Sequence, residues 1–382
     1  MERALAQGRI SSRTFVSGDL VFAVADRRDD PDIRALLREN ALGGWILLSL
    51  EREPDAFAAD FGLGRSHAFI IARTRKTGEA VGLCERSVRD AFVDGEVRRL
   101  PYLGSLRVAP AYRHRIRVLK GGFEAVRSLL NDPSDLPYAL TSITAENKAA
   151  HRILCAGLAE LPAYQPIGEM LTFAMRTAVR AISSGIEPAG LGDLPAISAL
   201  LQRNYRRFQF APVWRASDLQ RLLAGGAMRA CNFLVVRRGL GVSACLAVWD
   251  QGMLKQTVIR GYGPWLRRMR PFVNLASPLL SMPRLPPVGS ALRQAYLSLI
   301  AVDDDDAATF RSLLRAALTL ARQRGLEVAL AGFAANHPFA AVLRHRHVAK
   351  YRSLLHLVHW RDTQSVAGSI PSRVPHPEIA IM

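Results

Sequence analysis

The chain has 382 residues, of which 49% are apolar and 22% are charged, a balance typical of a folded protein with room for two domains. Its most apolar stretches, such as 271–302, are interrupted by proline and arginine, which argues against a transmembrane helix, and its first residues lack the apolar centre of a secretory signal. The net charge of +18 is almost entirely arginine, and it fits either a phosphate-bearing partner or an arginine-rich solvated surface.

An internal repeat organises the predicted elements. In each half a helix with apolar residues at helical spacing comes first, then two strand signals around a glycine turn, a strand leading into a helix, a short helix after an asparagine, and a final strand. The paired segments are 32–40 with 196–204, 69–85 with 233–250, 102–110 with 296–304, 145–154 with 334–343, and 169–177 with 351–360. This shared order predicts a tandem duplication of one mixed α/β unit.

The repeat also predicts the domain limits. We expect an N-terminal domain over 13–180, a C-terminal domain over 186–361, and a polar, flexible tail over 362–382. An insertion at 262–290 in the second half is dense in glycine, proline and arginine, and is expected to form a loop or lid.

The segment YLGSLRVAPAYRHRIRVLKGG at 102–122 predicts a strand, a proline turn and a basic helix. Amides at such a helix start can hold an anion. With Val108, Pro110 and Arg113 the segment resembles the acyl-CoA-binding motif of the GNAT superfamily of N-acyltransferases. The resemblance implies an α/β fold of two tandem GNAT-like domains, each a mixed, mostly antiparallel sheet flanked by helices.

The resemblance further implies acetyl-CoA or another acyl-CoA as co-substrate, without a metal. Two positions depart from the family pattern, since Ile116 and Val118 stand where relatives have glycine. In the second copy a run of aspartates at 303–306 replaces the cradle, which suits helix capping and repels phosphate, so the N-terminal half is the expected CoA site. The implied cofactor-binding residues are Leu106, Val108, Arg113, His114, Arg115, Ile116, Arg117, Val118 and Asn147.

Acyl transfer to an amine needs a base. Glu85 and Glu96 are the candidates, because they lie on the third strand and its exit, where bases of the family often sit. The family's tyrosine acid falls on Leu154 here, although Tyr164 is nearby in sequence. The remaining polar signals are read as structural: the four cysteines as buried free thiols, and His356 and His359 as strand residues on opposite faces.

These observations favour a cytoplasmic N-acyltransferase that transfers an acetyl group to a small-molecule or protein amine where the halves meet. One alternative is an aminoacyl-tRNA-dependent transferase of the Fem type, with basic clusters at 203–208, 265–270 and 344–347 on the tRNA. Another is a non-catalytic ligand-binding protein. Nucleic acid is a less favoured partner, no membrane partner is expected, and the oligomeric state stays open.

Overall fold

The computed structural model describes residues 14–58, 64–180, 184–239, 241–277, 284–344, 349–360 and 373–382. The strands β1 to β16 are Thr14–Ser17, Leu20–Val24, Ile46–Glu51, Ser66–Thr74, Ala80–Val93, Glu96–Val108, Tyr138–Thr144, Ala163–Arg176, Ile186–Pro188, Ala211–Pro212, Phe233–Arg238, Gly241–Trp249, Gln256–Tyr262, Gln294–Val302, Val328–Ala334 and Ala349–His359. The helices α1 to α8 are Asp30–Glu39, Ile116–Leu129, Lys148–Leu154, Leu194–Tyr205, Ala216–Ala224, Pro264–Ala276, Ala307–Gln323 and Pro338–Arg344.

One large sheet runs through both halves in the order β1-β2-β4-β5-β6-β7-β16-β8-β15-β14-β12-β11-β9, with β10 paired to β5. Most neighbours are antiparallel, and the parallel pairs β6–β7 and β14–β15 occupy equivalent places in the two halves. Strands β3 and β13 form a separate two-stranded ribbon. The repeated order expected from the sequence is therefore present, and the mixed, mostly antiparallel architecture is confirmed.

The two halves exchange their final strands, which the sequence did not predict. The last strand of the second half, β16, pairs with β7 of the first half, and the last strand of the first half, β8, pairs with β15 of the second. Strands β8 and β16 also pair with each other at the centre of the sheet. Consequently neither half closes its own sheet, and the expected domains are sequence repeats that complete one another.

Helices cover the sheet with apolar stripes, as their spacing requires. In the second half, α7 begins after Asp306, whose side chain accepts from the amides of Ala308 and Thr309. The α7 residue Phe310 then stacks on Phe339 of α8 with ring centroids 4.2 Å apart. This packing buries the middle of the large sheet on that side.

Three expectations need correction. The predicted loop at 262–290 contains helix α6, since Pro264 occupies its first turn, where a missing N–H costs nothing. The tail expected to be flexible is buried over much of 373–382, with His376 and Glu378 almost fully covered, while 361–372 lie outside the described residues. The cysteines are not uniformly buried, because Cys155 and Cys231 are exposed.

No helix within the described ranges is long and apolar enough to cross a membrane.

Candidate functional site

A gap between two parallel strands, β6 and β7, leads into a large cavity. Strands β6 and β7 pair at Tyr102 and Leu140, and beyond that point both line a cavity of about 980 Å³. The edge of β6 is disturbed there by a bulge, in which Ser105 has a φ of +49°. A bulge redirects backbone groups away from the ladder. The gap therefore presents strand-edge groups of the first half to a ligand.

The cavity is bounded by both halves of the chain. Its first-half wall includes Phe123 and Val126 of α2, and its opposite wall comes from α6, including Leu266 and Met269. The floor is sheet, with Ala174 of β8 close to the exchanged strand β16. Most of the lining is apolar, which suits a hydrophobic chain.

A buried carboxylate lies on the polar side of this cavity. One oxygen of Glu85 is 2.5 Å from Arg52 Nη2 and 2.7 Å from Ser105 Oγ, and the other is 2.7 Å from His67 Nε2. Burial opposes ionisation, but the charge of Arg52 and the bond to His67 outweigh it and hold the pKa of Glu85 well below its usual range. Burial lowers the pKa of neighbouring Arg107 to about 10, so its guanidinium is still cationic at neutral pH.

Glu96 does not belong to this site. It lies in the hairpin between β5 and β6, where its exposed carboxylate is 3.7 Å from Arg98. Gly104, at the cavity, is eight positions further along the strand, a span of about 26 Å. The strand therefore carries Glu96 away from the gap, and the geometry favours Glu85 of the two predicted bases.

The predicted cofactor positions divide into two groups. Leu106 lines the cavity, as does Asn147, whose side chain also caps α3 by accepting from the amide of Ala150. Arg113 lies on the exposed turn before α2, where its guanidinium donates to Asn40 Oδ1 at 2.9 Å and to the Val108 carbonyl at 3.3 Å. The exposed neighbours of Arg113 on this turn are His114, Arg115, Ile116 and Arg117.

One of the two departures from the glycine pattern, Val118, has a packing explanation, whereas Ile116 is exposed at the helix start. Val118 points into the core, where its Cγ1 would lie 2.9 Å from a Cβ placed on Gly82, so it does not project over the helix start. The later Gly121 serves packing too, because a Cβ there would lie 2.3 Å from the ring of Phe22. The amides of this helix start are thus not covered by Val118.

Sequence reasoning missed the two partners of Glu85, whereas it had named two residues that lie on the cavity wall. His67 and Arg52 bind Glu85 but stand 18 and 33 residues from it, and no local spacing relates them. Tyr164 lines the cavity, and burial raises its pKa well above its usual range. The position expected for the family's tyrosine, Leu154, is also on the wall.

The equivalent gap in the second half is filled by the end of the chain. Leu299 has the same bulge conformation as Ser105, with a φ of +49°. Its amide donates to the Glu378 carboxylate at 2.6 Å, and Trp214 Nε1 donates to the other oxygen at 3.0 Å. Ile379 packs against Gly332 of β15 on the other side of this gap. A carboxyl group of the chain itself therefore already occupies the second bulge, and burial raises the pKa of this carboxyl to about 7.

The aspartate run of the second half is engaged in capping and ion pairing. Asp303 pairs with Arg203 at 2.7 Å and Asp305 pairs with Arg207 at 2.9 Å, while Asp306 caps α7. These arginines belong to the basic cluster at 203–208, so part of that cluster is neutralised within the chain. Of the cluster at 344–347, residues 345–347 lie outside the described residues.

No family model and no curated protein matches the sequence. Solved structures do match. Saccharomyces cerevisiae N-myristoyltransferase with bound myristoyl-CoA aligns with a TM-score of 0.61 and 14% identity, over 91% of this chain and 80% of that chain. A GCN5-related N-acetyltransferase from Sphaerobacter thermophilus aligns with a TM-score of 0.53 and 12% identity, over 90% of this chain and 96% of that chain.

A GCN5-related glucosamine N-acetyltransferase region of a fungal multi-domain β-N-acetylglucosaminidase aligns with a TM-score of 0.59 and 11% identity, over 90% of this chain and 38% of that chain. At these identities the likeness concerns the fold. The chain has the GNAT-superfamily fold, as two tandem GNAT-like units, and the resemblance drawn from its sequence is confirmed at that level.

Proposed function

We propose that this protein is an acyl-CoA-dependent N-acyltransferase whose donor binds in the first half. The supporting observation is the contrast between two equivalent strand gaps. The gap between β6 and β7 opens into the cavity, whereas the gap between β14 and β15 holds the chain's own Glu378 and Ile379. Pantetheine would pair with the free edge of β6 near Leu106, with the pyrophosphate at Arg113 and the start of α2.

The cavity favours a long acyl chain over the acetyl group that the sequence alone suggests. About 980 Å³ of mostly apolar space far exceeds an acetyl group and lies at the upper end for ligand sites. Each buried methylene contributes about 0.8 kcal/mol, so a chain that fills this space binds much more tightly than one that leaves it empty. The solved myristoyl-CoA complex of the yeast relative agrees with this choice of donor.

In the proposed acyl transfer, Ser105, Glu85 and water each have a separate role. The amine lone pair forms the C–N bond, and the carbonyl electrons move to oxygen, where the Ser105 amide donates to the oxyanion in the way that the Leu299 amide donates to the Glu378 carboxyl. The nitrogen, now cationic and far more acidic than a free ammonium group, gives its proton to the ionised Glu85 carboxylate, which Arg52 and His67 make a weak base that cannot deprotonate the free ammonium. The C–S bond breaks as the carbonyl re-forms, and the CoA thiolate takes a proton from water, since the raised pKa of Tyr164 makes it a poor acid. The hydroxide left by that water takes the proton from Glu85, which restores the carboxylate.

The Fem-type alternative receives less support. Such an enzyme needs exposed cationic clusters for tRNA, but Arg203 and Arg207 are already ion-paired with Asp303 and Asp305. A non-catalytic ligand-binding role would use the same cavity and leave Glu85 without a chemical task.

Calorimetric titration with tetradecanoyl-CoA tests the donor site. We expect tight binding to the wild-type protein and loss of binding in Leu106→Trp, which fills the gap. Leu191→Trp makes the same change at an exposed position in the second half and should bind normally. If the wild type binds no acyl-CoA but binds aminoacylated tRNA with steep salt dependence, the Fem-type alternative replaces this proposal.

A further inference from the structure

Three side chains with metal-ligand chemistry meet behind the cavity wall. His151 and Cys155 are four residues apart at the end of α3, and His356 comes from the exchanged strand β16. One ligand atom from each lies within 4.8 Å of the others. Cys155 Sγ is 3.6 Å from His356 Nε2. For a thiolate and an imidazole on one tetrahedral zinc ion, the separation expected from the metal–ligand distances is also about 3.6 Å.

Backbone carbonyls orient both imidazoles. The Leu354 carbonyl lies 3.2 Å from His356 Nδ1, and the Thr144 carbonyl lies 3.2 Å from His151 Nε2. Because a carbonyl oxygen only accepts hydrogen bonds, each of these nitrogens donates its proton and the other nitrogen keeps a free lone pair. For His356 that free nitrogen is Nε2, the atom that faces Cys155. Metal-bound histidines are usually fixed in this way by a second partner.

We propose that His151, Cys155 and His356 form a binding site for a divalent transition metal, with Zn²⁺ as the best fit. One thiolate and two imidazoles match zinc's preference for nitrogen and sulfur ligands, whereas hard cations such as Mg²⁺ prefer oxygen. Three protein ligands leave one position for water, and the exposure of Cys155 provides a route for the ion to enter. This inference does not depend on the proposed acyl transfer.

The proposed metal site lies between α3 and β16, which gives the ion a structural role. Ala150 and Leu154 of α3 line the cavity, while His151 and Cys155 alternate with them along the same helix. His356 belongs to the strand that the second half supplies to the first. A bound ion would therefore cross-link α3 to the exchanged strand β16. It would stabilise the native state by an amount that increases with the affinity for the ion.

The sequence predicted no metal and could not have suggested this cluster. His356 lies 201 residues from Cys155, and only the strand exchange brings them together. The opposite-face argument for His356 and His359 is unaffected, because His359 is not part of the cluster.

Titration of the apo-protein with Co²⁺, followed by competition with Zn²⁺, tests the proposal. We expect one ion per chain with a thiolate-to-cobalt absorption band. Cys155→Ser should abolish that band and weaken Zn²⁺ binding more than about 100-fold, and His356→Gln should weaken it by at least about tenfold. Cys231→Ser removes the other exposed thiol and should change neither. A thiolate band that survives Cys155→Ser, or its absence in the wild type, overturns the proposal.

A second test uses the wild-type chain, so its result does not depend on whether the variants fold. Alkylation by iodoacetamide, mapped by mass spectrometry, compares Cys155 with Cys231 in the same sample. Zn²⁺ should slow alkylation of Cys155 at least about tenfold and leave Cys231 unchanged, because a coordinated thiolate is shielded. Equal rates for Cys155 with and without Zn²⁺ contradict the site.

Discussion

Replacing Ala150 with phenylalanine tests whether the cavity holds the acyl chain. Ala150 lies on the cavity wall in α3, and its neighbour Ala149 is exposed on the same helix. The two substitutions Ala150→Phe and Ala149→Phe have the same helix propensity cost, so they differ only in whether the new ring enters the cavity. The amide of Ala150, which donates to Asn147, is retained in both variants.

The expected magnitude follows from burial. The ring of Ala150→Phe takes the room of about four methylenes, and at about 0.8 kcal/mol each the loss is about 3 kcal/mol, or roughly 200-fold in affinity. This loss applies to chains long enough to reach the ring. Acetyl-CoA, which does not fill the cavity, should bind to both variants and to the wild type equally well.

Calorimetry with acetyl-, octanoyl- and tetradecanoyl-CoA measures this dependence. The affinity of the wild type for acyl-CoA should increase with each longer acyl chain, and Ala149→Phe should show the same increase. Ala150→Phe should not show the increase in affinity for tetradecanoyl-CoA. A wild-type affinity that does not change with chain length would refute the reasoning. So would an equal loss in both variants, since the effect would then come from α3 rather than from the cavity.

Three further changes probe the chemistry, the cradle and the pH dependence. Glu85→Gln should lower the rate of CoA release from acyl-CoA and an amine by about 10²–10⁴-fold without weakening donor binding, whereas Glu96→Gln should have no effect; equal rates would remove Glu85 from the mechanism. Arg113→Ala should weaken binding of free CoA about tenfold by calorimetry, through loss of a charge-assisted phosphate contact, and unchanged affinity would place the pyrophosphate elsewhere. Burial lowers the pKa of His376 from 6.5 to about 4, so folding stability is lost as pH falls through that window. His376→Phe keeps a ring against Phe208. Between pH 6.5 and 4 its free energy of unfolding, measured with urea, should fall by up to about 3 kcal/mol less than that of the wild type. An unchanged dependence of that free energy on pH would contradict the lowered pKa of His376.

The sequence predicted the fold where local pattern sufficed. The duplicated strand–helix junctions at 102–110 and 296–304 are present as β6 with α2 and as β14 with α7, because such junctions depend on neighbouring residues. The capping expected of the aspartates at 303–306 is present at Asp306, whereas Asp303 and Asp305 pair with arginines that lie 100 and 98 residues away in the sequence.

The local sequence pattern could not predict contacts between residues that are far apart in the chain. Strands β8 and β16 have equivalent sequences in the repeat, so nothing local tells which half each completes. Glu85 was found as a strand carboxylate, but its partners Arg52 and His67 follow no spacing rule. Glu96 is also a carboxylate on a predicted strand, but it lies at the end of β6 that is far from the cavity.

The strand exchange has a consequence for how the chain reaches its native state. Strand β7 has no partner on one side until β16, more than 200 residues later, has been synthesised. Until then its edge is open to pairing with other chains, and contacts of such long separation form slowly. Refolding should accordingly be slow and concentration-sensitive, with yield falling as chains compete for the same unpaired edge.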